Sequence, residues 1–271
     1  MRRNLIHSKT GVSQLVIAVI LIAITISAIL VTLPFIEQQR RKELVKSEWE
    51  YMRTYMTALQ NAVDDVAWML GKTRSLQFSM SNGFMFAEPD ALNYSVLVDK
   101  GSGYVSLVEN ITTGVLGYKT FIYDYSLGGD YYEAIRPNEQ SFSHTGGAKP
   151  FTYLFGVEKI PMADGDFLRL VLAPTVTVLS FEVGGEQRYR VLIVKLSGTG
   201  QAGRDRVTVT GVSYEVVETA NNVNALKVTV GFPKTGYDNT FFNFQETSTV
   251  IDVPDGSIVE VMTCEVTYKF A

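Results

Sequence analysis

Few residues in this chain have the types and spacing that chemistry needs, and their surroundings exclude most of it. Residues 198–203, Gly-Thr-Gly-Gln-Ala-Gly, match the G-x-G-x-x-G turn that lets a backbone approach a dinucleotide's pyrophosphate. That turn needs a helix behind it, with N–H groups aimed at the phosphates. Residues 206–214, Arg-Val-Thr-Val-Thr-Gly-Val-Ser-Tyr, alternate like a strand instead, so no cofactor is expected. His7, His144 and the single Cys264 lie too far apart in type and context to build a zinc site. Asp164-Gly165-Asp166 and the run 252–256, Asp-Val-Pro-Asp-Gly, offer carboxylates without the graded spacing of a calcium loop and are expected to be polar turns. No nucleophile elbow, P-loop or Cys–His signature is present, and an enzyme is not expected. Ser–Lys or carboxylate dyads assembled only in space stay open. Two acceptor triplets remain, Asn93-Tyr94-Ser95 and Asn110-Ile111-Thr112, whose amides could carry oligosaccharide on a surface domain.

The elements around these residues start with a membrane-length run. Residues 11–36, GVSQLVIAVILIAITISAILVTLPFI, carry no charge and follow the basic stretch MRRNLIHSK. As a helix at about 1.5 Å per residue the run reaches roughly 39 Å, enough for a hydrocarbon core of about 30 Å. It exceeds the apolar core of about 7 to 15 residues in a cleaved secretory signal, so a single-pass protein is expected. Leu15, Val16, Val19, Ile22, Ile26 and Leu30 are its candidate membrane or helix-core residues. Pro34 should bend or loosen it near the membrane exit, because proline removes one backbone hydrogen bond. Arg2, Arg3 and Lys9 before the run nearly balance Arg40, Arg41, Lys42 and Lys46 after it, so charge does not orient it. The composition of residues 72–271, rich in Tyr, Thr, Ser, Gly and Asn, favours the outside for the rest of the chain. A formal charge of −4 without a basic stripe argues against nucleic acid as a partner.

Residues 37–70 contain no Gly or Pro. Val45, Trp49, Met52, Met56, Leu59, Val63, Val66 and Leu70 recur at alternating spacings of four and three, which predicts an apolar helical seam ending at Gly71. Joined to the apolar run, residues 12–70 would form one rod of roughly 88 Å at about 1.5 Å per residue. The seam is expected to pack on the chain's own β domain, with contact to neighbouring copies as the alternative. Glu48, Glu50, Arg53, Asp64 and Asp65 read as solvated faces.

After Gly71 the apolar period changes from 3.5 to 2. Strands are expected at 94–98, 104–109, 118–125, 151–157, 167–172, 175–183, 187–196, 206–218, 225–230, 248–253 and 258–270. Gly184-Gly185 should close a tight hairpin, and Asn221-Asn222 should mark a turn. Cys264 lies in an alternating strand pattern and reads as a buried structural thiol. The fold class is α+β: a long N-terminal transmembrane and amphipathic helix, then a mostly antiparallel β-sandwich. The expected organisation is a leader at 1–11, an apolar helix at 12–36, an amphipathic extension at 37–71 and an outer β domain at 72–271, with a division near 150 left open.

The arrangement of residues 9–26, Lys-Thr-Gly-Val-Ser-Gln-Leu-Val-Ile-Ala-Val-Ile-Leu-Ile-Ala-Ile-Thr-Ile, resembles the class III signal sequence of archaeal type IV pilins and pilin-like proteins. The resemblance covers roughly the first 60 residues. It implies that a membrane-embedded prepilin peptidase recognises Lys9, Gly11 and Val12, cutting after Gly11 so that Val12 begins the mature chain. Val16 stands where bacterial pilins keep a glutamate, which fits the archaeal branch. The resemblance also implies that the apolar helix moves from the membrane into a filament core with other pilin-like subunits, leaving the β domains outside. A minor pilin or pseudopilin is favoured over a main pilin by the size of the chain. The alternative is an uncleaved, signal-anchored surface protein whose β domain binds a ligand or partner.

Overall fold

The structure is a computed structural model that describes residues 7–146, 150–159, 165–199 and 206–271, with the side chains of 7–15, 159 and 199 outside that description. The protein is α+β. A single helix, α1 (His7–Ala67), precedes an 11-stranded sheet and a one-turn helix, α2 (Asn239–Phe242). The chain divides into two compact units, Met1–Ser47 and Glu48–Ala271.

Within the second unit, α1 buries the face that the seam predicts. Trp49, Met52, Met56, Leu59, Val63 and Val66 are all at most 1% exposed and share one core with residues from the sheet; Val45, before them, is buried too. Tyr55 and Ala62 widen this face beyond a strict two-position seam, as expected for a helix lying on a sheet. Leu70 does not belong to it. The helix ends at Ala67, and Leu70 is 71% exposed. Hydrogen bonding explains the early stop: Gly71, at φ +73°, donates its N–H to the carbonyl of Gly211, and the Gly211 N–H donates to the carbonyl of Lys72. The strand captures backbone groups that a longer helix would have used.

Three polar residues expected to be solvated on α1 instead fasten it to the sheet. The carboxylate of Glu48 accepts the backbone N–H groups of Ser81, Asn82 and Gly83 and the hydroxyl of Tyr118, at 2.8 to 3.1 Å. Asp64, 3% exposed, accepts the N–H and hydroxyl of Thr152 at 2.9 and 3.0 Å. Arg53 pairs with Glu133. Gln60, fully buried beside them, donates to the carbonyls of Thr152 and Arg136. Glu50 is exposed, and Asp65 lies 3.8 Å from Arg74.

The strands are β1 (Thr73–Gln77), β2 (Gly83–Asp99), β3 (Tyr104–Phe121), β4 (Tyr132–Arg136), β5 (Ser143–Thr145), β6 (Thr152–Lys159), β7 (Phe167–Pro174), β8 (Val176–Val183), β9 (Glu186–Thr199), β10 (Arg206–Gly231) and β11 (Ser248–Phe270). They pair in the order β4-β6-β7-β3-β2-β10-β11-β9-β8-β5, with β1 on β10. The sequence suggests a mostly antiparallel sandwich; the strands join one mixed sheet, in which β9–β11 and β5–β8 are parallel. The β9–β11 pair follows from two chain reversals, since β10 runs antiparallel to β11 and β11 inserts between β10 and β9. Strands on both sides of residue 150 belong to this sheet.

Several expected breaks are bends inside long strands. The separate strands 104–109 and 118–125 both fall in β3, which ends at Phe121, short of the second one's expected end; 206–218 and 225–230 are parts of β10, and 248–253 and 258–270 parts of β11. The punctuating residues do adopt left-handed backbone: Asn110 at φ +57°, Asn222 at +57° and Gly256 at +84°. Each lies where the strand register shifts, so it makes a bulge and pairing resumes beyond it. Asn221-Asn222 and 252–256 are therefore bulges, not the turns expected there. Gly184 and Gly185, at φ +63° and +87°, do close the two-residue hairpin between β8 and β9.

These bends let one strand serve two cores. Leu226, Val228 and Val230 of β10 join a core of β residues with Phe155, Phe241 and Phe242, whereas Val207 and Val209 of the same strand join the core beneath α1. β7 is buried along its whole length because Leu168, Leu170 and Leu172 face the helix core while Val171 and Ala173 face the other.

Candidate functional site

Residues 16–36 of α1 are exposed without exception, including Val16, Val19, Ile22, Ile26 and Leu30 at 48 to 66%. Among the described residues, one helix is long and apolar enough to cross a membrane, and it is this one. Covering a Val, Leu or Ile side chain is worth about 1.5–3 kcal/mol. Summed over the run this reaches tens of kcal/mol, more than the roughly 5–15 kcal/mol that holds a typical domain folded. Such a surface is suited to an apolar environment, and the run could span a membrane. Leu15 belongs to the helix, with its side chain outside the described set.

Two hydroxyl groups within this run are turned inward. Thr25 donates its hydroxyl to the carbonyl of Leu21 at 2.8 Å, and Thr32 donates to Ala28 at 2.8 Å, with Ile29 at 3.3 Å. A hydroxyl bonded to its own helix needs no water, so both threonines suit an apolar surrounding. Ala23, Ser27 and Ala28 form a shallow groove with Ile20, Ile24, Val31 and Thr32. The helix continues through Pro34 without ending. Lys9, Gly11 and Val12 lie within its range, but their side chains are outside the described residues, as is the whole of 1–6.

The β-rich unit brings its two acceptor triplets together. Asn93 donates from Nδ2 to Oδ1 of Asn110 at 3.1 Å, and the Asn110 N–H donates to the hydroxyl of Ser95 at 3.2 Å. The spacing of the triplets shows nothing of this; the pairing of β2 with β3 creates it.

Other candidate chemistry is not assembled. Among the described residues no group of three or more His, Cys, Asp or Glu could hold a metal ion. Gly198 lies in β9, Gly200 and Gly203 lie outside the described residues, and the element that follows is the strand β10. Asp164 is also outside the description. Cys264 is fully buried, and burial pushes its thiol up to about 12. His144 packs against Phe151, and burial lowers its pKa more than the Glu139 carboxylate at 3.7 Å raises it.

Sequence reasoning misses Glu48, Gln60 and Asp64, whose partners lie 33 to 92 residues away. The one available signal is their position flanking the seam on the buried side of the helix. No protein-family pattern, curated protein or solved structure matches the chain.

Proposed function

We propose that this protein is a structural subunit or minor component of an archaeal type IV pilus-like surface filament, made as a precursor and clipped after Gly11 by a prepilin peptidase. Its apolar helix first lies in the cell membrane and then packs with other pilin-like subunits, with the β-rich unit outside. One observation carries the reading: residues 16–36 present apolar side chains to the exterior, while residues 49–66 of the same helix bury theirs in the chain's own core. The arrangement of Lys9, Gly11 and Val12 before the apolar run supports processing at that point.

An uncleaved, single-pass surface protein with a partner-binding β unit is the second reading. Burial of the seam favours it, because Trp49 to Val66 pack into the chain's own core and not against a neighbouring copy. The mass of the chain recovered from its own cells separates the two. A start at Val12 is expected; a start at Met1 refutes the filament reading. A bulky residue in place of Gly11 should block the cut, and normal maturation of that variant would count against the assignment.

A further inference from the structure

The two acceptor triplets occupy unlike positions in the sheet, and we infer that Asn110, and not Asn93, receives an N-linked oligosaccharide. Asn93 lies in β2 with a strand on each side, paired to Thr112 of β3 and to Gly231 of β10. Its side chain fills the space that Gly231 leaves: a Cβ on that glycine would come within 2.0 Å of the Asn93 Oδ1. Its Nδ2 points at Asn110, 3.1 Å away, and a sugar on that nitrogen would have to enter between the two side chains. The hydroxyl of Ser95, which completes the first triplet, is engaged by the backbone of Asn110.

Asn110 differs in each respect. It is exposed, it stands at a left-handed bulge, and Thr112, which completes its triplet, is exposed as well. Its Oδ1 accepts from Asn93, while its Nδ2 has no hydrogen-bond partner among the described residues. Glycosylation uses only that nitrogen. With a polyprenyl phosphate- or pyrophosphate-linked oligosaccharide as donor, Nδ2 bonds to C1 of the first sugar and the C1–oxygen bond to phosphate breaks. The polyprenyl phosphate or pyrophosphate, according to the donor, leaves with the electron pair, and the displaced amide proton passes to a base on the transferase. Oδ1 is untouched, so the bond from Asn93 survives the modification and the sheet keeps its side-chain bridge.

This inference rests on export of the β-rich unit, as the proposed function does. The full chain recovered from its own cells should carry one glycan, mapped by peptide mass spectrometry to Asn110. Asn110→Gln and Thr112→Ala should both remove it, the second at an exposed position that does not threaten folding, and Asn93→Gln should retain it. A glycan on Asn93, on both residues or on neither overturns the inference. The same mass reports the N-terminus separately. A Met1 start with Asn110 glycosylated refutes the filament reading alone, and a Val12 start with Asn110 bare refutes this inference alone.

Discussion

Leu59→Ala and Leu30→Ala delete the same atoms from one helix, and their effects on folding should differ several-fold. Leu59 is fully buried in the core that α1 shares with the sheet, whereas Leu30 is 66% exposed. Truncating a buried leucine costs about 2–5 kcal/mol, since the lost transfer energy is joined by a cavity that the surroundings only partly refill. Well-packed neighbours on both helix and sheet limit that collapse, so about 3 kcal/mol is expected. For a unit of this size, 1 kcal/mol corresponds to roughly 2–4 °C, giving a Tm lowered by roughly 6–12 °C. Leu30→Ala leaves the folded unit's contacts intact and should stay within about 0.5 kcal/mol. The assay is thermal unfolding of the full chain in detergent, followed through the near-ultraviolet signal of Trp49, whose ring lies 6.3 Å from that of Tyr118. Equal shifts for the two variants, or a Leu59→Ala shift below about 2 °C, would refute the division of α1 into a buried and an exposed half.

Asp64→Ala should destabilise by about 2–4 kcal/mol, because it strands the buried N–H and hydroxyl of Thr152. Asp64→Asn keeps an acceptor and should cost clearly less in the same denaturant titration. Gly211→Ala would place a Cβ 2.2 Å from the carbonyl oxygen of Val66 and 2.8 Å from that of Met69. Both are backbone atoms that cannot swing aside, so a loss of about 1–3 kcal/mol or more is expected, and a neutral unfolding midpoint would contradict the docking of the helix end. Cys264 should resist thiol reagents at pH 8 until the unit unfolds, since burial holds its pKa near 12 against an ordinary 9.0. With the folded value raised, the folded thiol keeps a proton that the unfolded chain releases. Its contribution is present below about pH 9 and falls as pH rises toward 12, so midpoints measured at pH 8 and pH 10 should decrease in that order.

The legible part of this fold is what short-range periodicity encodes. Trp49 to Val66 recur at helical spacing, and every one is buried as that spacing implies. The helix end is misread for the same reason: Trp68, Met69 and Leu70 continue an apolar pattern, while the bonds that stop the helix come from Gly211, 140 residues beyond Gly71. Strand ends fail differently. Asn110, Asn222 and Gly256 adopt the left-handed backbone their types favour, but that conformation serves a bulge as well as a turn, and only the partner strand decides which. The candidate site divides along the same line. The exposed apolar run is readable from composition, whereas the bridge from Asn93 to Asn110 exists only once β2 lies against β3.

The environment of the apolar run need not be the same throughout the life of the chain, and its chemistry bears on the proposed transfer from membrane to filament. Lipid tails are about as apolar as leucine, so exchanging them for the side chains of other helices changes the hydrophobic term little. The costly event in such a move would be an unsatisfied polar group, worth several kcal/mol away from water. Thr25 and Thr32 avoid it by bonding to Leu21 and Ala28 of their own helix, whichever surrounding they meet. What then separates the two environments is packing. The groove at Ala23, Ser27 and Ala28 lets a neighbouring helix approach more closely than branched side chains would allow. Bulky residues at Ala23 and Ser27 should therefore leave membrane insertion intact while reducing recovery of the protein in filaments. Equal recovery of the variant and the parent chain in a sheared filament fraction would remove packing along this face from the argument.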